Sequence, residues 1–441
     1  MHHDEEYLLD DFEQEPETWE ELERVEKTAF LATIVRQGES PKEVEASMDE
    51  LERLADTAGI MILGRYSQKR NAPERGTFFG KGFLEETATK MHQAQADLLI
   101  VNEELSPMQG RNIDRDFSIR VIDRTEVILS IFHDHARTKE AKLQVRLAEL
   151  QYQLPRLRRL WGHFDKERGS ARSAGGSASR GMGEKQIEID KRLIRLQIRR
   201  INQSITAVAH QKETQRKQRE KTKKLCLVGY TNAGKSTLFN ALTNAGVLVE
   251  DRLFATLDST SRQLKLSTGS PVVISDTVGF ISNLPHHLVA SFRATLMEVQ
   301  DADLLLHVVD VSDDRREYYI DQVNDVLKQI GADGIPQILV FNKADLVDNI
   351  FLTFIQRRFP ECISISALKA GQLESLVDGV EKRLFDNLFL SLKLPYDKGA
   401  LVSLLHQIAQ VKSEDYRADG IYMEVLVGKE DMYHVKDYVL T

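Results

Sequence analysis

The chain has 441 residues, 41% of them hydrophobic and 29% charged, and a net charge of −9, the make-up of a globular protein of roughly two to four domains. No window approaches about eighteen uninterrupted apolar residues, and the acidic start is unlike a signal peptide, so a membrane-spanning or exported protein is not expected and a cytoplasmic monomer is. The two cysteines, Cys226 and Cys362, fall in separate apolar runs and read as reduced core residues rather than a disulfide or a metal pair.

Residues 1–27 are rich in Asp and Glu and read as an acidic flexible tail. Residues 28–136 then alternate. Strands are expected at Phe30–Val35, Ile60–Leu63, Leu98–Val101 and Ile119–Ile122. Helices are expected at Lys42–Thr57, Phe83–Ala94 and from Glu126 to Phe132. That alternation predicts an α/β domain on a parallel sheet covered on its faces. Gly80-Lys81-Gly82 stands before a helix; a helix-initiating turn explains it, and an anion site for ATP is the alternative.

Residues 137–223 change period. Leu143, Leu147, Leu150, Leu154 and Leu157 form one heptad seam, and Ile187, Ile194, Ile198, Ile201, Ile205 and Val208 form another, which predicts an antiparallel helical hairpin with a kink at Pro155. Its loop, 161–183, is crowded with Gly, Ser and Arg. The segment holds 23 Lys plus Arg against 9 Asp plus Glu, an excess of +14, so the rest of the chain carries −23. A cationic arm on an otherwise acidic chain suits a polyanion, and Arg168, Arg172, Arg180, Gly181 and Gly183 are the candidates for RNA contact; a solvated surface and a plain linker are the other readings.

Residues 224–387 carry five motifs in order. Leu225–Val228 reads as a buried strand, followed by Gly229-Tyr230-Thr231-Asn232-Ala233-Gly234-Lys235-Ser236-Thr237, the pattern in which backbone amides cradle phosphates at a helix start. In that pattern Lys235 neutralises the β- and γ-phosphates and the Ser236 hydroxyl is a Mg²⁺ ligand. Phe254-Ala255-Thr256-Leu257-Asp258 lies where a first switch belongs, with Thr256 as the second hydroxyl on Mg²⁺. Asp276-Thr277-Val278-Gly279 ends another apolar run, with Asp276 reaching Mg²⁺ through water and the Gly279 amide meeting a γ-phosphate. Asn342-Lys343-Ala344-Asp345 follows a third strand. A carboxylate there pairs with the guanine N1–H and 2-amino group, donors that adenine lacks in that arrangement. Asn342 is expected at guanine N7, and Ser366-Ala367-Leu368 supplies the Ala367 amide for O6. Lys235, Thr256 and Gly279 thus bind and stabilise charge, and no general base is assigned. The position after Gly279, where many GTPases place a water-orienting Gln, is Phe280.

Residues 388–441 read as a small α+β domain, with strands at Leu388–Leu394 and Ile421–Val427 and helices at Ala400–Val411 and Asp431–Val439. With these residues assembled, 224–387 resembles a translation-factor-type, Ras-like P-loop GTPase domain, and nearly the whole chain resembles the HflX family. The likeness rests on the Gly229–Ser236 loop, Phe254–Asp258, Asp276-Thr-Val-Gly-Phe280, the Gly181-Met-Gly-Glu184 element and Leu394-Pro-Tyr-Asp-Lys-Gly399. It departs from the family pattern at Asp258-Ser-Thr-Ser-Arg262 and in a longer, serine-rich hairpin tip. What the resemblance implies is a GTPase that binds the large ribosomal subunit and its rRNA through the hairpin loop and splits or rescues stalled ribosomes in the GTP state. Two other classes stay open: an ATP- or GTP-driven RNA-remodelling or subunit-assembly factor, and a non-catalytic GTP-dependent switch.

Overall fold

The structure, a computed structural model, describes residues 27–157, 178–217, 222–243, 253–254, 260–266, 271–282, 298–385 and 387–440. It forms two compact units, one from Met1–Ile131 with Pro155–Ile187, the other from Phe132–Leu154 with Glu188–Thr441.

The first unit is built on a four-stranded parallel sheet. Its strands are β1 (Lys27–Val35), β2 (Ile60–Lys69), β3 (Leu98–Val101) and β4 (Val121–Asp123), in the order β2-β1-β3-β4. The inner strands β1 and β3 are apolar and buried on both faces, as parallel strands under helices must be. Strand β2 runs six residues beyond the expected Leu63 because only one of its faces is covered. Its second half, Gly64-Arg-Tyr-Ser-Gln-Lys69, therefore shows no continuous apolar run yet pairs with β1 in register from Phe30↔Gly64 to Val35↔Lys69. Helices α1 (Pro41–Thr57), α2 (Lys81–Ala94) and α4 (Arg124–His135) fall where the pattern put them. Helix α3 (Pro107–Phe117) was not expected from its weakly apolar sequence. Its start signal was nevertheless present: Ser106 caps, Pro107 follows at the first position, and Ser106 and Gln109 exchange the two bonds of a capping box.

Charge is buried at the carboxyl ends of β3 and β4. Arg124 donates to Glu50 at 2.8 Å and to Asn102 at 3.1 Å, and Asp123 accepts from the Leu105 amide at 3.0 Å. A buried guanidinium is tolerated because each charged partner is matched by an opposite charge or a dipole.

In the second unit α5 (Lys139–Gln153) and the part of the long α6 (Ala178–Lys217) from Glu188 onward bring their seams together: Leu147, Leu150 and Ile201 are buried, with Leu143, Ile194, Ile198 and Ile205 packed against them. Pro155 ends α5 in a 3₁₀ turn, Leu154–Arg156, so Leu154 and Leu157 leave the seam. The loop boundary expected at 183 is corrected: α6 already begins at Ala178, because extending an established helix adds one hydrogen bond per residue and outweighs the local cost of Gly181 and Gly183.

A six-stranded sheet, ordered β10-β9-β8-β5-β7-β6, carries the rest of the motifs. Strand β5 (Lys223–Gly229) lies between β7 (Pro271–Asp276) and β8 (Leu304–Asp310), parallel to both. Beyond β8 come β9 (Gln337–Asn342) and the short β10 (Ile363–Ser364), while β6 (Thr260–Lys265) runs antiparallel to β7 at the edge. Helix α7 (Lys235–Thr243) follows β5, α8 (Arg316–Gln329) follows β8, α9 (Asn349–Arg358) follows β9, and α10 (Leu373–Leu384) follows β10. Three apolar clusters among the described residues form the core, one including Leu227, Phe239, Leu306 and Val340, a second Val228, Phe280, Leu305 and Val323, and a third Val309, Ile320, Phe341 and Ile355.

The last segment is a three-stranded antiparallel sheet, β11 (Asn387–Leu394), β13 (Gly420–Gly428) and β12 (Ala409–Arg417) in that order, with helix α11 (Gly399–Ile408). Two expectations are corrected here. The helix expected to Val411 stops at Ile408 and the chain turns into β12, whose mostly polar Gln-Val-Lys-Ser-Glu-Asp pairs with β13 across a bulge between Val411 and Ser413. In place of a helix over Asp431–Val439 there are two 3₁₀ turns, Lys429–His434 and Lys436–Tyr438, anchored by the buried Val435.

Candidate phosphate and guanine site

The site lies at the carboxyl ends of β5, β7 and β9, where loops from an open α/β sheet converge. Gly229 leaves β5 at φ +151°, and a Cβ there would stand 2.2 Å from the Val308 carbonyl oxygen of the neighbouring strand, so only glycine fits. The loop then turns through Asn232 at φ +61° and Gly234 at φ +88° into α7. Its amides thereby face the positive end of a helix.

Lys235 is buried, and its Nζ donates to the carbonyls of Gly229 at 3.0 Å and Tyr230 at 2.8 Å. Burial lowers its pKa to about 8, with Asp276 pulling it back up. The ammonium is thus held in the fold of the loop with fewer counter-charges than it could accept. Ser236 Oγ donates to Asp276 Oδ2 at 2.7 Å, and Asp276 is fully buried at the end of β7. Thr277 Oγ1 donates to the Leu227 carbonyl at 2.6 Å, tying the β7 end to β5.

Gly279 follows in a tight space: an added Cβ would lie 2.8 Å from Thr231 Cγ2 and 3.0 Å from Lys235 Nζ. The next residue continues the contact as a one-residue parallel bridge, with the Thr231 amide donating to the Phe280 carbonyl at 2.7 Å and the Phe280 amide to Gly229 at 3.1 Å. The Phe280 ring turns away from the loop, 3% exposed in the core with Val228, Val299 and Leu305.

On the other side, Asn342 is buried and joins two loops. Its Nδ2 donates to the Ala233 carbonyl at 3.0 Å and its Oδ1 accepts the Ala367 amide at 3.0 Å. The sequence assigns Asn342 to guanine N7, and in the fold its amide joins the phosphate loop to the Ser366–Leu368 loop. Lys343 stands at φ +61° with its Nζ 2.7 Å from Asp310 Oδ2, and the Ala344 amide donates to Ile365 at 3.0 Å. Asp345 is exposed, and the nearby Ser366 hydroxyl holds its carboxyl below the usual range. Leu368 projects 80% exposed beside it.

These groups were named from sequence and the structure brings them together. Four others were not named. Asp310 pairs with Lys343, and Ser282 joins Tyr230 at 2.5 Å between hydroxyls. Tyr319 stacks on Tyr230 at 4.0 Å. His307, one strand over from β5, lines a cavity of about 40 Å³ with Tyr230–Ala233 and Tyr319; burial lowers its pKa to about 4, so it is neutral. The signal for Asp310 and His307 was the run Leu304–Asp310, an apolar strand ending in a carboxylate.

Of the first-switch residues, Leu253 and Phe254 are described and Ala255, Thr256, Leu257 and Asp258 lie outside the described residues. Phe254 is buried at φ +57°, its ring edge-on to Phe132 at 4.7 Å and its carbonyl 2.8 Å from His135 Nδ1. Among the RNA candidates, Arg168 and Arg172 lie outside the described residues, while Arg180, Gly181 and Gly183 belong to the first turns of α6. Gly80 caps α2, its amide donating to Gln68 Oε1 at 2.9 Å, which is the helix-initiating turn.

Comparison with known proteins covers the chain almost end to end. Three family models match: GTP-binding GTPase N-terminal at residues 45–133, GTP-binding GTPase Middle Region at 135–219, and 50S ribosome-binding GTPase at 224–343. A protein named GTPase HflX from Caldanaerobacter subterraneus is 40% identical over 96% of each chain. One of the same name from Escherichia coli is 41% identical over 85% of this chain and 87% of its own. A solved structure, a GTP-binding protein from Sulfolobus solfataricus in complex with GDP, is 24% identical over 81% of this chain and 98% of that one, with a TM-score of 0.42.

Proposed function

The chain belongs to the HflX family of GTPases and hydrolyses GTP to GDP and phosphate, and on that premise we propose that it acts on the large ribosomal subunit, splitting or rescuing stalled ribosomes in its GTP state. The observation that carries the ribosomal reading is the match of residues 224–343 to a family described as 50S ribosome-binding GTPase. It is supported by the +14 excess of residues 137–223, which suits a phosphate-rich partner.

In this reading the loop amides and Lys235 hold the β- and γ-phosphates. Oxygen donors of the kind Mg²⁺ requires converge at Ser236 Oγ and Asp276 Oδ2, 2.7 Å apart, so the residues fit that ion. Ser236 would ligate it with Thr256, and when bound it would neutralise charge on the transferring phosphoryl group. The Gly279 amide reaches the γ-phosphate, and the exposed, ionised carboxylate of Asp345 reads the guanine edge. The Ala367 amide, assigned from sequence to guanine O6, donates here to Asn342 Oδ1, so that Asn342 sets the distance between base loop and phosphate loop.

Phe280 explains why a partner is needed. Its ring is packed in the core, so no side chain at that position orients the attacking water. Intrinsic hydrolysis is therefore slow, and the ribosome completes the site. Co-sedimentation with isolated large subunits is the test: binding with a non-hydrolysable GTP analogue that GDP abolishes, together with single-turnover hydrolysis accelerated by subunits, is expected. Equal sedimentation with both nucleotides, or full-speed hydrolysis without ribosomes, would overturn it.

A further inference from the structure

We propose that Tyr230 is the positioning residue of the second phosphate-sensing loop: its phenol fastens Gly279–Ser282 to the phosphate loop, so that the Gly279 amide is already in place when the γ-phosphate arrives. The Tyr230 oxygen accepts the Ser282 amide at 2.6 Å and shares a hydrogen with Ser282 Oγ at 2.5 Å. Its ring is buried and stacked on Tyr319 of α8 at 4.0 Å, which fixes where the phenol oxygen points. Upstream, Phe280 bridges the Gly229–Thr231 backbone, and before Gly279 the Thr277 hydroxyl donates to the Leu227 carbonyl at 2.6 Å. Gly279 therefore lies between two anchored residues, where an added Cβ would stand 2.8 Å from Thr231 Cγ2 and 3.0 Å from Lys235 Nζ.

A loop that must order upon binding costs conformational entropy at that moment, and one ordered beforehand does not. Tyr230 supplies that order from within the phosphate loop itself, at a variable position of the motif. The link also runs in one direction of chemistry: it serves the triphosphate, because GDP has no group at the Gly279 amide. Loss of the phenol oxygen should therefore weaken GTP-state binding and hydrolysis while leaving GDP binding alone.

This inference rests on the reading of Gly279 as the γ-phosphate contact, so the experiment carries a separate arm for it. Tyr230→Phe keeps the ring and its stacking on Tyr319 but removes both bonds to Ser282. On the full chain, we expect affinity for a non-hydrolysable GTP analogue and the single-turnover hydrolysis rate to fall about tenfold. That is the scale of losing one to two buried hydrogen bonds. GDP affinity stays within about twofold, and Ser282→Ala, which spares the amide bond, falls between the two. A merely structural role would lower GDP and analogue affinity together. An unchanged or increased ratio of analogue to GDP affinity in Tyr230→Phe, with Gly279→Ala abolishing it, would overturn the positioning role alone. If Gly279→Ala also leaves that ratio intact, the Gly279 reading fails and this inference with it.

Discussion

The buried ammonium of Lys235 makes nucleotide affinity a function of proton concentration. In the empty fold burial holds this lysine at about 8 rather than the ordinary 10.5. At about 1.4 kcal/mol per tenfold, that is a penalty of about 3 kcal/mol on the charged form. The sign follows from the direction. A lysine lowered on folding destabilises the protein wherever it is charged in both states, so the empty protein gains stability as pH rises from about 8 towards 10.5. A bound diphosphate supplies the missing counter-charge and raises the lysine again, so binding takes up a proton near and above pH 8. GDP affinity should be level between pH 7 and 8 and then weaken by up to tenfold per pH unit. Calorimetry at pH 8 in buffers of different ionisation enthalpy should find about half a proton taken up per nucleotide, and Lys235→Met should remove both the slope and the uptake. A dissociation constant constant within twofold from pH 7 to 9, with no proton uptake, would refute the reasoning. The buried carbonyls of Gly229 and Tyr230 would then hold the ammonium at its ordinary basicity.

Other expectations can be checked alongside. Asp345→Asn should shift preference from guanine towards xanthine nucleotides by about two orders of magnitude or more, read by competition binding, because an amide offers one donor where two acceptors were required. Gly229→Ala places a methyl 2.2 Å from the Val308 oxygen at a backbone angle hostile to side chains, so a loss of at least about 3 kcal/mol in denaturant unfolding is expected. Glu50→Ala removes the carboxylate paired with the buried Arg124 and should cost about 3–5 kcal/mol by the same assay, with Glu50→Gln milder because a hydrogen-bond acceptor remains.

Much of this architecture could be read in advance, for identifiable reasons. Parallel strands buried on both faces, such as Leu98–Val101 and Leu225–Val228, are short continuous apolar runs, and their length and the turn residues that bound them mark them as strands. Motifs that cradle phosphate depend on backbone shape, and backbone shape is written in glycines at fixed spacing. What escaped were elements whose stability comes from neighbours: the polar half of β2, the strand β12 read as the end of a helix, and the 3₁₀ turns after Gly428. Each has a weak local pattern and is held by a partner strand or by one buried residue.

The sequence by itself determined the groups on offer: a phosphate-loop pattern, a carboxylate in the Asn342–Asp345 turn, a strongly basic segment at 137–223, and a phenylalanine after Gly279. Only the tertiary structure decided how those parts are held. It turned Phe280 into the core, used Asn342 to join two loops, and placed Tyr230 against Ser282, fifty-two residues away in the chain. The physical reason is that local pattern records what a residue prefers, whereas a contact across such a separation exists only once the sheet has brought β5 and β7 side by side.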